Sequence, residues 1–144
     1  MTRVDFYILD HPTEAARLTL ACRLAEKAVQ QEHEVLINSG TEADGIRLDE
    51  MLWTFSQGSF LPHRMLYGDV TDDEGEPVLI GCGQVPEDGR WDLLINLAPE
   101  VPEFFSRFQR VAELVGGDDE NKAAGRLRFR YYRDRGYELR THHV

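Results

Sequence analysis

Basic residues are in short supply. Lysine and arginine number 16 against 26 aspartates and glutamates, so the 144-residue chain carries a net charge of −10. A protein that tracks phosphates needs a basic surface, and this balance argues against general nucleic-acid binding. Cysteine is scarcer still, with only Cys22 and Cys82. They form no C-x-x-C pair, which leaves zinc and redox roles without support. Both are expected to be buried, reduced thiols, Cys22 in a helix and Cys82 in a strand. No apolar run approaches the ~18 residues of a membrane span, and Met1–Asp10 lacks the basic-then-apolar layout of a secretory signal. The expected location is the cytoplasm.

The signatures of catalysis and cofactor binding are missing too. There is no G-x-x-x-x-G-K-[ST] loop, and the turn after the first apolar run, Asp10-His11-Pro12-Thr13, has no glycine to let the backbone wrap a phosphate. Gly81-Cys82-Gly83 is a weak mimic, since no helix pattern follows it. None of Ser39, Ser56, Ser59 and Ser106 sits in a G-x-S-x-G elbow. Cys22 in mid-helix is not in an activating position. The histidines show no metal-ligand spacing on an ordered element; His142-His143 offers only an adventitious site on a terminus. The acidic cluster between Asp69 and Pro77 reads as a solvated loop. No catalytic residue, metal or cofactor is expected.

What the chain does have is the ordinary composition of a folded domain, 42% hydrophobic and 29% charged, at a length that can bury a core. Apolar runs and helical patterns alternate. Strands are expected at Val4–Leu9, Glu34–Asn38, around His63–Tyr67, at Val78–Cys82, Trp91–Leu97, Val111–Val115 and Tyr137–Arg140. Helices are expected at Ala15–Gln31, from Thr41 or Asp44 to about Trp53, at Pro102–Phe108 and from about Asp118 to Arg135, the last closed by Gly136. Phe55–Pro62 and Val85–Arg90 read as loop and turn. The alternation implies an α/β fold, a largely parallel sheet flanked by helices and lacking a phosphate-binding loop. Residues 1–141 are expected to form a single domain and 142–144 a frayed tail.

Charge is unevenly spread. Residues 121–144 hold seven basic and two acidic residues, a net of +5, which leaves −15 for residues 1–120. An acidic body with one basic segment suggests a local site for an acidic partner. At about 100° per residue, Lys122, Arg126, Arg130 and Arg133 share one helical arc bordered by Phe129. Ala123, Ala124, Leu127 and Tyr131 share another, expected to face the core. Four neighbouring cations repel unless an anion compensates them, and an exposed ring needs an apolar contact. Together they suit an acidic peptide with a hydrophobic end group. Gly125 within this helix costs ~1 kcal/mol and either admits a ligand closely or is a tolerated weakness. The competing expectation is that Phe129 is partly buried and the arginines pair with the acidic body.

The order DFYILD, EVLIN, RLDEMLWTF, SFLPH, WDLLINL and RFRYYRDRGYEL resembles the chi-subunit family of bacterial DNA polymerase III over essentially the whole chain. Its most specific parts are Arg47-Leu48-Asp49-Glu50 with Leu52-Trp53, Ser59-Phe60 with Pro62-His63, and Tyr132–Tyr137. The resemblance implies a Rossmann-like fold without a working nucleotide site, and a non-catalytic subunit that bridges two proteins. One partner is the psi subunit of the clamp loader. The other is the acidic C-terminal tail of single-stranded-DNA-binding protein, which ends in phenylalanine. Such a bridge couples the polymerase assembly to coated template and assists primer handoff. By resemblance the tail pocket comprises Lys122, Arg126, Phe129 and Arg130 with Val115 as apolar wall. The psi-facing surface comprises Trp53, Phe60, Pro62 and His63, where another protein such as a helicase could dock instead. The family often has tyrosine at position 129 and lysine at 130. Phenylalanine forgoes a hydroxyl, and arginine keeps the charge with a different geometry. A small α/β nucleotide-binding domain or enzyme is the alternative reading.

Overall fold

The structure is a computed structural model that describes residues 1–54, 61–66, 75–86 and 92–144. Phe60, Trp91, the tip of the Val85–Arg90 turn and most of the Phe55–Pro62 and Asp69–Pro77 loops lie outside the described residues.

The strands are β1 (Arg3–Ile8), β2 (Val35–Asn38), β3 (His63–Met65), β4 (Val78–Gly81), β5 (Leu93–Asn96), β6 (Arg110–Val115) and β7 (Glu138–His143), with helices α1 (Glu14–Gln30), α2 (Glu42–Thr54) and α3 (Asp119–Asp134). Among the described residues they form one seven-stranded sheet in the order β3-β4-β2-β5-β6-β1-β7, and all six pairings are parallel. The central strands β2 and β5 are buried at every position, as apolar runs covered on both faces should be.

Period-two alternation divides the core between two faces. Ile37, Ile80, Ile95 and Leu114 meet Leu18, Cys22 and Ala25 of α1 and Leu48 and Leu52 of α2. On the opposite face Val4, Phe6, Leu94, Val111 and Val115 meet Phe105, Phe108 and Tyr132. Helices α1 and α2 thus pack on one side and α3 on the other. Local chemistry sets their ends. Thr13 and Asp118 cap α1 and α3 by accepting backbone N–H bonds from Ala16 and Asn121. Thr41 accepts from the Asp44 N–H at 3.1 Å. Gly136, with φ of +81°, takes the left-handed conformation that ends α3.

Four expectations need correction. Pro102–Phe108 holds only a 3-10 turn over Phe105–Arg107. Cys82 lies just past β4 and is half-exposed, whereas Cys22 is buried, and burial pushes the Cys22 thiol up to about 12. Residues His142 and His143 are not frayed: β7 pairs with β1 as far as His143, because the exposed edge of β1 supplies the hydrogen bonds. His142 stacks on Tyr7 at 4.7 Å and lies 3.1 Å from Asp5; strand alternation turns His143 to the other face. The fourth concerns α3. Its buried residues are Gly125, Arg128 and Tyr132, while Leu127 is 65% exposed. Ala123 and Leu127 therefore face outward, whereas Tyr131 of the same arc is half-buried and packs on Phe105 at 6.0 Å.

A candidate peptide-binding site on the last helix

The reason for this orientation lies in β6. Glu113 is a lone acid in an apolar strand and is fully buried. Its carboxylate accepts bonds from Arg128 Nε at 2.9 Å, from the Tyr132 hydroxyl at 2.6 Å and from Asn96 Nδ2 at 2.9 and 3.1 Å. Arg128 also donates to the Pro99 carbonyl at 3.0 Å. A buried charge needs a counter-charge and filled hydrogen-bond sites, so the arginine and tyrosine of α3 must turn inward. Burial raises the Glu113 pKa, an effect opposed by Arg128 and the surrounding donors. Burial, and then the adjacent carboxylate, push the Tyr132 phenol well above its ordinary value.

With Arg128 and Tyr132 inward, Phe129 is half-buried at the helix flank and meets Phe6 edge-on at 5.2 Å. Lys122 and Arg126 follow it around the helix. Between this flank and the sheet lies a cavity of about 240 Å³ lined by Phe6, Ile8, Val115, Lys122, Gly125, Arg126, Phe129 and Thr141. Four of the five residues assigned to the tail pocket therefore meet around one cavity. Arg130 does not line it; its side chain is exposed on the outer side of α3. Among the described residues Lys122, Arg126 and Arg130 form no ion pair, whereas Arg133 lies 3.2 Å from Asp134. The site is an apolar slot rimmed by uncompensated cations.

Gly125 has a structural role here. A Cβ at this position would lie 2.9 Å from both methyl groups of Val115, so glycine lets α3 settle onto β6 with Val115 as the floor of the slot. Sequence reasoning missed Phe6, Ile8 and Thr141. Phe6 and Ile8 alternate along one face of β1, and Thr141 is registered opposite Phe6.

On the other side of the molecule, Trp53 is 53% exposed and its ring meets His63 edge-on at 4.8 Å. His63 donates from Nδ1 to the Leu61 carbonyl at 2.6 Å and its Nε2 lies 3.0 Å from Asp49. Pro62 is exposed beside them; Phe60 lies outside the described residues. Ile46, two turns before Trp53 and 48% exposed, extends this apolar surface along α2. The i, i+7 spacing was its signal.

A second cavity, about 450 Å³, lies beyond the carboxyl ends of the central strands and includes Asn38, Gly83, Glu100 and Glu103. This is where parallel α/β sheets hold nucleotides. Here the Gly83 N–H donates to Asn38 Oδ1 at 2.9 Å and the Cys82 N–H to Gln84 Oε1 at 2.6 Å. These two amides are already bonded, and Glu100 and Glu103 are among the residues lining the cavity.

The family model for the DNA polymerase III chi subunit, HolC, matches residues 1–140. The chain is 44% identical over 144 residues to the DNA polymerase III subunit chi of Pseudomonas aeruginosa, covering 100% of this chain and 98% of that protein. It is 36% identical to the subunit chi of Haemophilus influenzae, covering 97% and 96%, and 34% identical to that of Escherichia coli, covering 98% and 97%. Among solved structures, T4 UvsW superposes with a TM-score of 0.72 at 10% identity, over 99% of this chain and 41% of that longer one, a likeness of fold alone. The family match and these full-length relatives, on a parallel α/β sheet with a cation-rimmed slot beside its last helix, establish that the chain belongs to the DNA polymerase III chi-subunit family.

Proposed function

We propose that this protein is a non-catalytic adaptor of the bacterial replication machinery, with one protein partner at each of two surfaces. The slot beside α3 takes the acidic, phenylalanine-ended tail of single-stranded-DNA-binding protein. The Trp53–His63 surface takes the psi subunit of the clamp loader. The observation that carries the reading is the slot itself: apolar walls from Phe6, Val115 and Phe129 under the unpaired cations Lys122 and Arg126. A terminal phenylalanine fits the walls. Its free carboxylate suits the Arg126 fork, and a preceding acid suits Lys122.

Calorimetric titration of a short acidic peptide ending in phenylalanine tests this. The wild type should bind in the micromolar range, more weakly as salt screens the charges. Arg126→Ala removes a charge-assisted bond worth about 1.5–3 kcal/mol, an order of magnitude or more in Kd. Trp53→Ala should leave peptide affinity intact and lose psi. Equal binding by wild type and Arg126→Ala, or none by wild type, refutes the pocket.

A further inference from the structure

We propose that the acidic peptide held in this slot continues as an added strand along the open edge of β7. The inference rests on the peptide-binding reading above and extends it from side chains to main chain. Strand β7 is last in the sheet order and, among the described residues, has a neighbour on one side only. The Val144 N–H donates to the Ile8 carbonyl at 3.0 Å and the Val144 carbonyl accepts from the Asp10 N–H, so both main-chain groups of Val144 point toward β1. Strand alternation then turns His142, Arg140 and Glu138 the same way. It turns the N–H and C=O groups of Leu139, Thr141 and His143 to the free edge.

Thr141 joins the two features. Its side chain lines the slot and its main chain is presented outward. A peptide whose end group enters the slot beside Phe129 and Val115 therefore passes close to the main-chain donors and acceptors that Leu139, Thr141 and His143 present outward. The charges fit as well. Successive side chains of an added strand point to opposite faces of the sheet. On one face they meet Lys122 and Arg126 of α3. On the other they meet Arg140, which projects to the face opposite Thr141 and lies 3.3 Å from Glu138. An unbroken acidic run, rather than an acid at every second position, is therefore the complementary sequence. Cations along an edge strand deter pairing with most chains; an acidic strand is the exception.

Amide hydrogen exchange followed by NMR on the full chain, with and without a short acidic peptide ending in phenylalanine, tests the proposal. The amides of Leu139, Thr141 and His143 should slow by about tenfold or more when the peptide saturates, while those of Arg140 and His142, already bonded to β1, change little. Proline is tolerated on an edge strand where its nitrogen faces solvent. Thr141→Pro should therefore fold and bind roughly three- to tenfold more weakly, the loss of one hydrogen bond. Thr141→Val keeps the N–H and changes only the side chain in the slot, so Thr141→Pro should bind several-fold more weakly than Thr141→Val. Exchange protection confined to Val115, Gly125 and Phe129, with Thr141→Pro binding normally, overturns the added strand and leaves the slot standing. Failure of the wild type to bind, or equal binding by Arg126→Ala, brings down both. Should Thr141→Pro fail to fold, the exchange pattern of the wild type decides.

Discussion

Replacing Arg128 by methionine leaves the Glu113 carboxylate in the core without its counter-charge. The guanidinium contributes the 2.9 Å bond from Nε to Glu113 and a 3.0 Å bond to the Pro99 carbonyl. Removing one partner of a buried pair costs about 3–5 kcal/mol, against a total stability of about 5–15 kcal/mol for a domain of this kind. Methionine fills part of the volume but cannot supply the charge. The loss should depend on pH. A carboxyl whose folded pKa is raised by burial binds more protons in the native state than in the unfolded one. Its effect on stability therefore turns unfavourable as pH rises from the unfolded value, near 4.5, through the higher folded value. Without Arg128 nothing charged opposes that rise, and the unfavourable window extends upward. Urea denaturation of wild type and variant, followed by circular dichroism at about pH 5 and about pH 8, should show the smaller deficit in acid. Adding Glu113→Gln to Arg128→Met removes the buried charge and should recover much of the loss at the higher pH. A single-variant deficit below about 1 kcal/mol, or one independent of pH, would refute the argument that this ion pair seats α3.

Two further outcomes follow from local geometry. Gly125→Ala would ordinarily stabilise a helix by about 1 kcal/mol, but its Cβ would press on both Val115 methyls at 2.9 Å. Overpacking of about 1–3 kcal/mol should win, lowering both the melting temperature and peptide affinity; a raised melting temperature would contradict the close contact. At Asp5, burial favours the neutral acid, but hydrogen bonds from His142 and Arg110 and the charges of Arg110 and Arg3 outweigh it and hold the pKa below the ordinary 3.8. The stabilisation this lowering brings is present above the unfolded value and is lost as pH falls through the folded one. Asp5→Asn should thus melt earlier than wild type at neutral pH and converge with it in strong acid, and parallel melting curves across that range would count against it.

Much of the candidate site was legible where a residue type is demanded by its neighbours along the chain. Lys122, Arg126 and Phe129 fall on one side of a helix by spacing alone, and the lining of the slot includes all three. The apolar run Val111-Ala112-Glu113-Leu114-Val115 reads as a strand, and its one acid finds a partner across the core. Its identity was not legible: Arg128 reads as a surface residue until Glu113 is known to sit beneath it. That hidden pairing is why the apolar pattern pointed Leu127 inward when it is exposed.

The amino-acid order by itself determined the elements, because strand and helix periodicity, the caps at Thr13 and Asp118 and the glycine at 136 act over a few residues. It also determined the uneven charge, which is additive. Only the tertiary structure decided which face of α3 is buried, that the last strand runs on through His142 and His143, and that Phe6, Val115 and Thr141 share one slot. Each of these depends on hydrogen bonds or ion pairs between groups far apart in the chain, which no local pattern encodes.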